Sequence, residues 1–257
     1  MNICWLASYP KSGNTWVRFL LHEYLFGTVT DTPSLTRRIP DLHNGEAPRA
    51  TPPEPPLPLL VKVHSRRDPS LPYMAEASGA VYVTRHPRDV LLSCLHYMRM
   101  TGGLPPEIPD EMYARRFIAE GGDPWMTSVG YGTWDENVAS WTSGAPFPVL
   151  TLRYEDLKKD AAGQLTRVLD FLAVPTDPPR IAAAVAGSSF DRMRALEVQE
   201  KSSGKAFAVW AGSRNEMRHG QFFMNKGQAG RTLASIAPGL DALLEQRFEK
   251  TLRGLGY

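Results

Sequence analysis

The sequence predicts an α/β fold: a P-loop-type central parallel β-sheet flanked by helices, in a single domain over residues 1–257. Three observations lead there. Short apolar runs of strand length alternate with segments of helical periodicity, the pattern of a parallel sheet covered on both faces. Each run leads into a polar cluster, at Lys11, His64, Arg85 and Tyr154, and ligands of parallel sheets sit at the carboxyl ends of the strands. The first run passes through a tight polar turn directly into an amphipathic helix.

The first strand is Ile3 to Ala7, and the helix after its turn carries Trp16, Val17, Phe19, Leu20, Leu21, Tyr24 and Leu25. Residues 52–58, almost all proline, can only be a loop or a polyproline stretch. A second buried strand covers 59–63, interrupted by Lys62, and a third, β-branched and aromatic, covers 80–84. A helical pattern spans 90–98, with Pro87 suited to its first turn and Asp89 to its positive end. Residues 101–110 read as a loop, with helices at 110–120 and 131–143 and a fourth strand at 148–153. Helices follow at 160–172, 178–187 and 240–252. Between them, 197–231 is polar with little periodicity; it and 101–130 are expected to be mobile lids or acceptor loops.

The turn Ser8-Tyr9-Pro10-Lys11-Ser12-Gly13-Asn14-Thr15-Trp16 has the architecture of a phosphate-binding loop. Backbone N–H groups at a helix N-terminus favour an anion, and the lysine adds a full charge. It is not the nucleotide-hydrolase pattern G-x-x-x-x-G-K-[ST]: aligning Gly13 with the second glycine puts Asn14 in the lysine slot and Ser8 in the first-glycine slot. The lysine lies ahead of the glycine instead and meets a phosphate from another side, which disfavours an ordinary ATPase or GTPase.

Net charge is only +2, so no global basic field argues for nucleic acid. Cys4 and Cys94 form neither a disulfide framework nor a metal knuckle; Cys4 reads as a small buried hydrophobe. No apolar run approaches about 20 residues, and the first strand leaves no room for a signal peptide. A soluble, cytoplasmic protein is expected, with no membrane partner.

With these residues in view, the chain resembles the cytosolic-type sulfotransferases, which transfer a sulfuryl group from 3′-phosphoadenosine 5′-phosphosulfate (PAPS). Tyr9 to Trp16 resembles the family's 5′-phosphosulfate loop, and Tyr82 to Ser93 its 3′-phosphate block, R-x-P-x-D-x-x-x-S. Phe223-Met224-Asn225-Lys226-Gly227-Gln228-Ala229-Gly230 resembles the late R-K-G-x-x-G loop. Val61-Lys62-Val63-His64, Tyr154-Glu155-Asp156-Leu157 and Ser188-Ser189-Phe190-Asp191-Arg192-Met193 match in the same order. The opening Trp5-Leu6-Ala7-Ser8-Tyr9-Pro10-Lys11 is most similar to bacterial members that tailor natural products, including glycopeptides. Two departures stand out: Asn225 replaces the usual arginine, and Arg231-Thr232-Leu233 replaces an acidic-Trp-Lys run. Arg214, Arg218 and Arg231 are candidates to supply the missing charge.

The resemblance implies PAPS as donor, 3′-phosphoadenosine 5′-phosphate (PAP) as product, no metal, and catalysis by alignment and electrostatics. Lys11 is expected at the leaving phosphate, with Ser12, Gly13, Asn14, Thr15 and Trp16 cradling the 5′-phosphate. His64 is the candidate base, with His86 as rival; Lys62, two residues earlier on the strand, points the same way, toward the sulfuryl oxygens. Arg85, Ser93, Asn225, Lys226 and Gly227 are assigned to the 3′-phosphate, and Tyr154, Ser188 and Phe190 to the adenine. Core packing is the competing reading for Trp16, Tyr154 and Phe190, a helix cap for Ser188, and a structural ion pair for Asp89. Phe207, Trp210 and Arg214 are placed near an acceptor pocket. The expected acceptor is a hydroxyl on a small molecule or peptide natural product; oligomeric state is left open. The competing functions are a P-loop small-molecule kinase and a non-catalytic PAPS- or nucleotide-binding module. The kinase would need lysine at position 14 and an acidic magnesium ligand at a strand end.

Overall fold

A computed structural model describes residues 2–45, 57–203, 209–210, 216–217 and 219–257. Four parallel strands, β1 (Ile3–Ala7), β2 (Leu59–Val63), β3 (Ala77–Thr84) and β4 (Val149–Arg153), form a sheet in the order β2-β1-β3-β4. The principal helices are α1 (Asn14–Phe26), α2 (Thr32–Arg38), α3 (Pro87–Met100), α4 (Asp110–Glu120), α5 (Trp134–Thr142), α6 (Tyr154–Lys159), α7 (Ala161–Phe171), α8 (Pro178–Gly187), α9 (Phe190–Ser202) and α10 (Leu240–Leu255). No helix among the described residues is long and apolar enough to cross a membrane.

Strand alternation divides the core in two. Ile3, Trp5 and Ala7 of β1 face a cluster closed by α3, α4, α5 and α10. Cys4 and Leu6 face the opposite cluster, closed by α1, α7 and α8. Cys4 is a buried hydrophobe, its thiol pushed up to about 12 by burial. A smaller cluster joins Phe19 of α1, Leu35 of α2 and Met193 and Leu196 of α9 to Trp210.

Because β2 and β3 flank β1 on opposite sides, the chain reverses direction across the sheet there, and the crevice at the carboxyl ends opens at β1. Helix starts follow local chemistry. Asp31 caps α2, and Thr133 with Glu136 forms a capping box at α5.

The sequence reading needs correction at several places. The third strand begins at Ala77, and the helix expected from residue 131 begins only at Trp134, after Gly132 turns the chain at φ 75°. Helix α2 was legible only in the short Asp31-Thr32-Pro33-Ser34 signal. The segment from 197 is not irregular at its start, since α9 runs to Ser202. Its period is concealed because it buries Glu197, Glu200 and Lys201 alongside Met193 and Leu196. Within 101–130 the helix expected at 110–120 is present as α4, which packs Tyr113, Ala114, Phe117 and Ile118 into the core. The proline-rich residues 52–56, and Phe207, Arg214 and Arg218, lie outside the described residues.

Helix α10 closes its face of the sheet through Phe248, buried edge-on against Trp134 with ring centroids 5.1 Å apart. Phe248→Ala should destabilise the fold by about 3–5 kcal/mol, read from urea unfolding; a loss well under 1 kcal/mol would mean that α10 is not integral to this core.

Candidate active site

The loop after β1 turns through two left-handed residues, Lys11 (φ 67°) and Gly13 (φ 103°). Gly13 is required by space as well as by φ: a Cβ there would lie 2.5 Å from Tyr154 Cδ2. Asn14 Nδ2 donates to the Leu6 carbonyl (2.8 Å) and to Ser8 Oγ (3.2 Å), fastening the helix start to the strand it follows. The Trp16 N–H closes onto the Gly13 carbonyl at 3.0 Å, and the N–H groups ahead of it at the helix start face the position an anion would take. Ser12 Oγ and Trp16 Nε1 are buried with no hydrogen-bond partner among the described residues.

A cavity of about 410 Å³ opens over this loop. Among the described residues its lining carries Lys11, Arg18, Lys62, Arg85, Lys158, Lys226 and Arg231 against a single carboxylate, Asp41. Lys11 Nζ sits over the Tyr97 ring (4.6 Å) and the Phe223 ring (4.0 Å). Burial, with Arg85 and Lys62 nearby, lowers its ammonium to about 8. A polyanion would reverse that penalty.

Arg85, buried at the end of β3, donates from Nη1 to the Lys11 carbonyl (3.1 Å) and from Nη2 to the Gln228 carbonyl (2.6 Å). Its guanidinium stacks 4.2 Å from the Tyr154 ring, while its Nε is buried without a partner. Ser93 lines the same wall. The late loop carries Asn225, Lys226 and Gly227 into the lining; Gly227 (φ 57°) leaves room for Phe190, whose Cδ2 would be 2.7 Å from a Cβ there. Tyr154 lies edge-on to Trp16 with centroids 5.8 Å apart.

Buried carboxylates hold this loop. Asp89 accepts the Gly230 N–H at 2.8 Å and pairs with Arg231 at 3.6 Å, so its part is structural. Glu197 accepts the N–H groups of Phe223 (2.7 Å) and Met224 (2.9 Å) and pairs with Lys201 at 2.7 Å. Glu200 accepts from Thr32 N–H and Trp210 Nε1, both at 2.6 Å.

His64 follows β2 and lines the cavity. Its Nδ1 lies 2.9 Å from the Ser8 carbonyl, which can only accept. Nδ1 therefore carries a proton, with Ser8 Oγ a second neighbour at 3.2 Å, and in the neutral ring the lone pair is on Nε2. Burial, with Lys62 and His43 adjacent, holds the imidazole well below its ordinary 6.5. Asn137, wholly buried, donates to the His64 carbonyl and to the Tyr131 carbonyl, both at 2.8 Å. The rival His86 is turned away: Nδ1 accepts the Arg88 N–H (3.3 Å) and Nε2 meets Glu245 at 3.3 Å.

The cavity thus gathers Lys11, Gly13, Asn14, Thr15, Trp16, Lys62, His64, Arg85, Ser93, Tyr154, Phe190, Asn225, Lys226 and Gly227. Neither Ser12 nor Ser188 is in the lining: both are buried, and the Ser188 hydroxyl donates to the Ala184 carbonyl at 2.8 Å and closes α8. Lys62 is paired within the site: Asp41 Oδ2 is 2.5 Å from its Nζ. Asp41, His43, Asn137 and Glu197 were missed in the sequence. None of them follows an apolar strand directly, and only the capping position of Asp41 before Leu42–Asn44 leaves a local trace. Trp125, Met126 and Tyr131 form the cavity's apolar side with Tyr97 and Phe223.

Residues 3–254 match the family described as the sulfotransferase domain, and the chain belongs to that family. Among curated relatives, human Sulfotransferase 2B1 is 24% identical over 97% of this chain and 66% of its own length. Sulfotransferase 1A1 of Bos taurus is 25% identical over 97% of this chain and 83% of its own. The chain therefore spans about two thirds of the first and most of the second. Among solved structures, mouse sulfotransferase SULT7A1 complexed with PAP superposes with a TM-score of 0.70 at 20% identity, covering 98% of this chain and 84% of that one. That likeness concerns the fold.

Histidine NMR should find His64 neutral and Nδ1-protonated at neutral pH and still neutral on acidification past 6.5. An imidazolium at neutral pH would contradict the geometry. By linkage, the unfolded chain takes up this proton first, so His64 should make stability fall as pH drops below 6.5.

Proposed function

We propose that this protein transfers the sulfuryl group of PAPS to a hydroxyl on a small acceptor, with His64 as the base. The observation that carries the reading is the Ser8 carbonyl 2.9 Å from His64 Nδ1, which puts the neutral ring's one proton there and leaves the Nε2 lone pair, in a cavity lined by both cations and aromatic rings. The unpartnered donors Ser12 Oγ and Arg85 Nε suit a bisphosphorylated nucleotide. PAPS, when bound, supplies the transferable sulfuryl group and a bisphosphate leaving group.

The residues of the chain divide the work. Lys11 and the N-terminus of α1, with Ser12 to Trp16, hold the 5′-phosphate and offset charge on departure. Arg85, Ser93 and Lys226 take the 3′-phosphate, with backbone at Asn225 and Gly227. Arg231 supplies the charge that Asn225 lacks, since it lines the same wall and Asp89 holds it there. Trp16, Tyr154 and Phe190 bracket the adenine. The His64 Nε2 accepts the proton of the acceptor hydroxyl, and Lys62 beside it faces the sulfuryl oxygens. Trp125, Tyr131 and Phe223 favour an apolar or aromatic acceptor, including a natural-product phenol. The kinase reading is weaker: Asn14 occupies the lysine slot, and the lining's one carboxylate already serves Lys62.

Calorimetric titration with PAP, beside magnesium-ATP, tests the donor: PAP should bind with strong preference, and the reverse preference would restore the kinase. His64→Ala should lower turnover by about 10²–10⁴-fold or more while leaving PAP affinity within a few-fold. Full turnover in that variant across pH would assign the base elsewhere. Arg85→Ala should weaken PAP binding by about tenfold or more, since it removes charge-assisted contacts to phosphate; unchanged affinity would move the 3′-phosphate to another wall.

A further inference from the structure

The base and its neighbouring lysine are held from behind by residues outside the motifs. Asp41 is buried, pairs in a β-bridge with Lys62, and places Oδ2 2.5 Å from Lys62 Nζ. Arg18 of α1 approaches the same oxygen at 4.0 Å and donates from Nη2 to the Ile39 carbonyl. The carboxylate is thereby held well below its usual range by two cations despite its burial. Its other oxygen accepts the His43 N–H at 3.1 Å and caps the single turn Leu42–Asn44.

That turn presents the ring of His43 to the base. His43 Nε2 accepts the backbone N–H of His64 at 2.6 Å, and the two rings stack 5.6 Å apart at 12°. A nitrogen that accepts is unprotonated, so His43 is neutral; burial lowers it to about 4. It cannot offer that nitrogen to a substrate as well.

Resting on the sulfuryl-transfer reading, we propose that Asp41 and His43 are positioning residues for the reaction. Asp41 fixes the Lys62 ammonium and the turn, and His43 fixes the backbone that carries His64. The physical need is clear. A lysine on a flexible stem loses side-chain freedom only if something grips its charge. A catalytic group must be held to within about half an ångström by its supporting residues. Asn137 grips the His64 carbonyl, His43 its N–H and Ser8 its ring, so the base is held at three points.

The test uses the full chain. Asp41→Asn keeps an oxygen for the His43 N–H but removes the charge that grips Lys62. It should lower kcat about tenfold or more while PAP affinity, by calorimetry, stays within about threefold. His43→Leu, which removes the acceptor, should lower kcat about tenfold, and His43→Gln, which restores one, should recover most of that loss. The His64 amide resonance should move in His43→Leu and return toward its wild-type position in His43→Gln; this readout needs no donor. Unchanged kcat in Asp41→Asn and His43→Leu would overturn the proposal. So would equal losses in kcat and PAP affinity, or a Gln variant as impaired as the Leu variant. Should Asp41→Asn fail to fold, the two His43 variants decide. A wild-type protein that neither binds PAP nor transfers from PAPS, with the amide shifts as expected, would instead remove the sulfuryl-transfer reading and leave the His43–His64 contact standing.

Discussion

Everything in the site depends on β1 being flanked by both β2 and β3. That arrangement puts the exits of three strands side by side: the Lys11 loop, His64 and Arg85. Residues far apart in the chain then meet through short contacts, such as the Ser8 carbonyl to His64 and Arg85 to the Lys11 carbonyl. Once β1 has a neighbour on each side, its loop touches the His64 imidazole on one flank and the Arg85 guanidinium on the other.

Bringing so many cations together is electrostatically costly unless an anion or a carboxylate answers them. The protein uses both means. Facing the cavity, Lys11 and Arg85 keep charge and donors for a ligand, with Lys11 lowered by burial and Arg85 Nε unpartnered. Buried carboxylates in and behind the wall are assigned to backbone and to particular cations: Asp41, in the lining, to Lys62, Asp89 to the Gly230–Arg231 backbone, Glu197 to the start of the late loop. Through these, the loop carrying Lys226 and Gly227 is fastened to α3 and α9, and the turn carrying His43 to α1 and β2.

The same logic explains why the His64 imidazole is neutral. A histidine among lysines and partly out of water resists protonation. The Ser8 carbonyl then chooses which nitrogen holds the one proton. Neither effect belongs to His64 as a residue; both belong to its position.

Legible in the chain alone were the four strands, most of the helices, the tight turn after β1 and the strand-exit residues Lys11, His64, Arg85 and Tyr154. Those features are local: alternating burial, a helix start after a tight turn, and a polar residue where an apolar run stops leave marks within a few positions. Only the tertiary structure separates the two strand-exit histidines: His64 lines the cavity, while the ring nitrogens of His86 are taken up by the Arg88 N–H and Glu245. It alone turned Ser188 away to cap its own helix and brought Asp41 to Lys62 across 21 positions in the chain. It alone revealed α9, whose buried charges conceal the apolar period that would have announced it. Partnership of buried polar groups is a property of packing, and no local pattern encodes it.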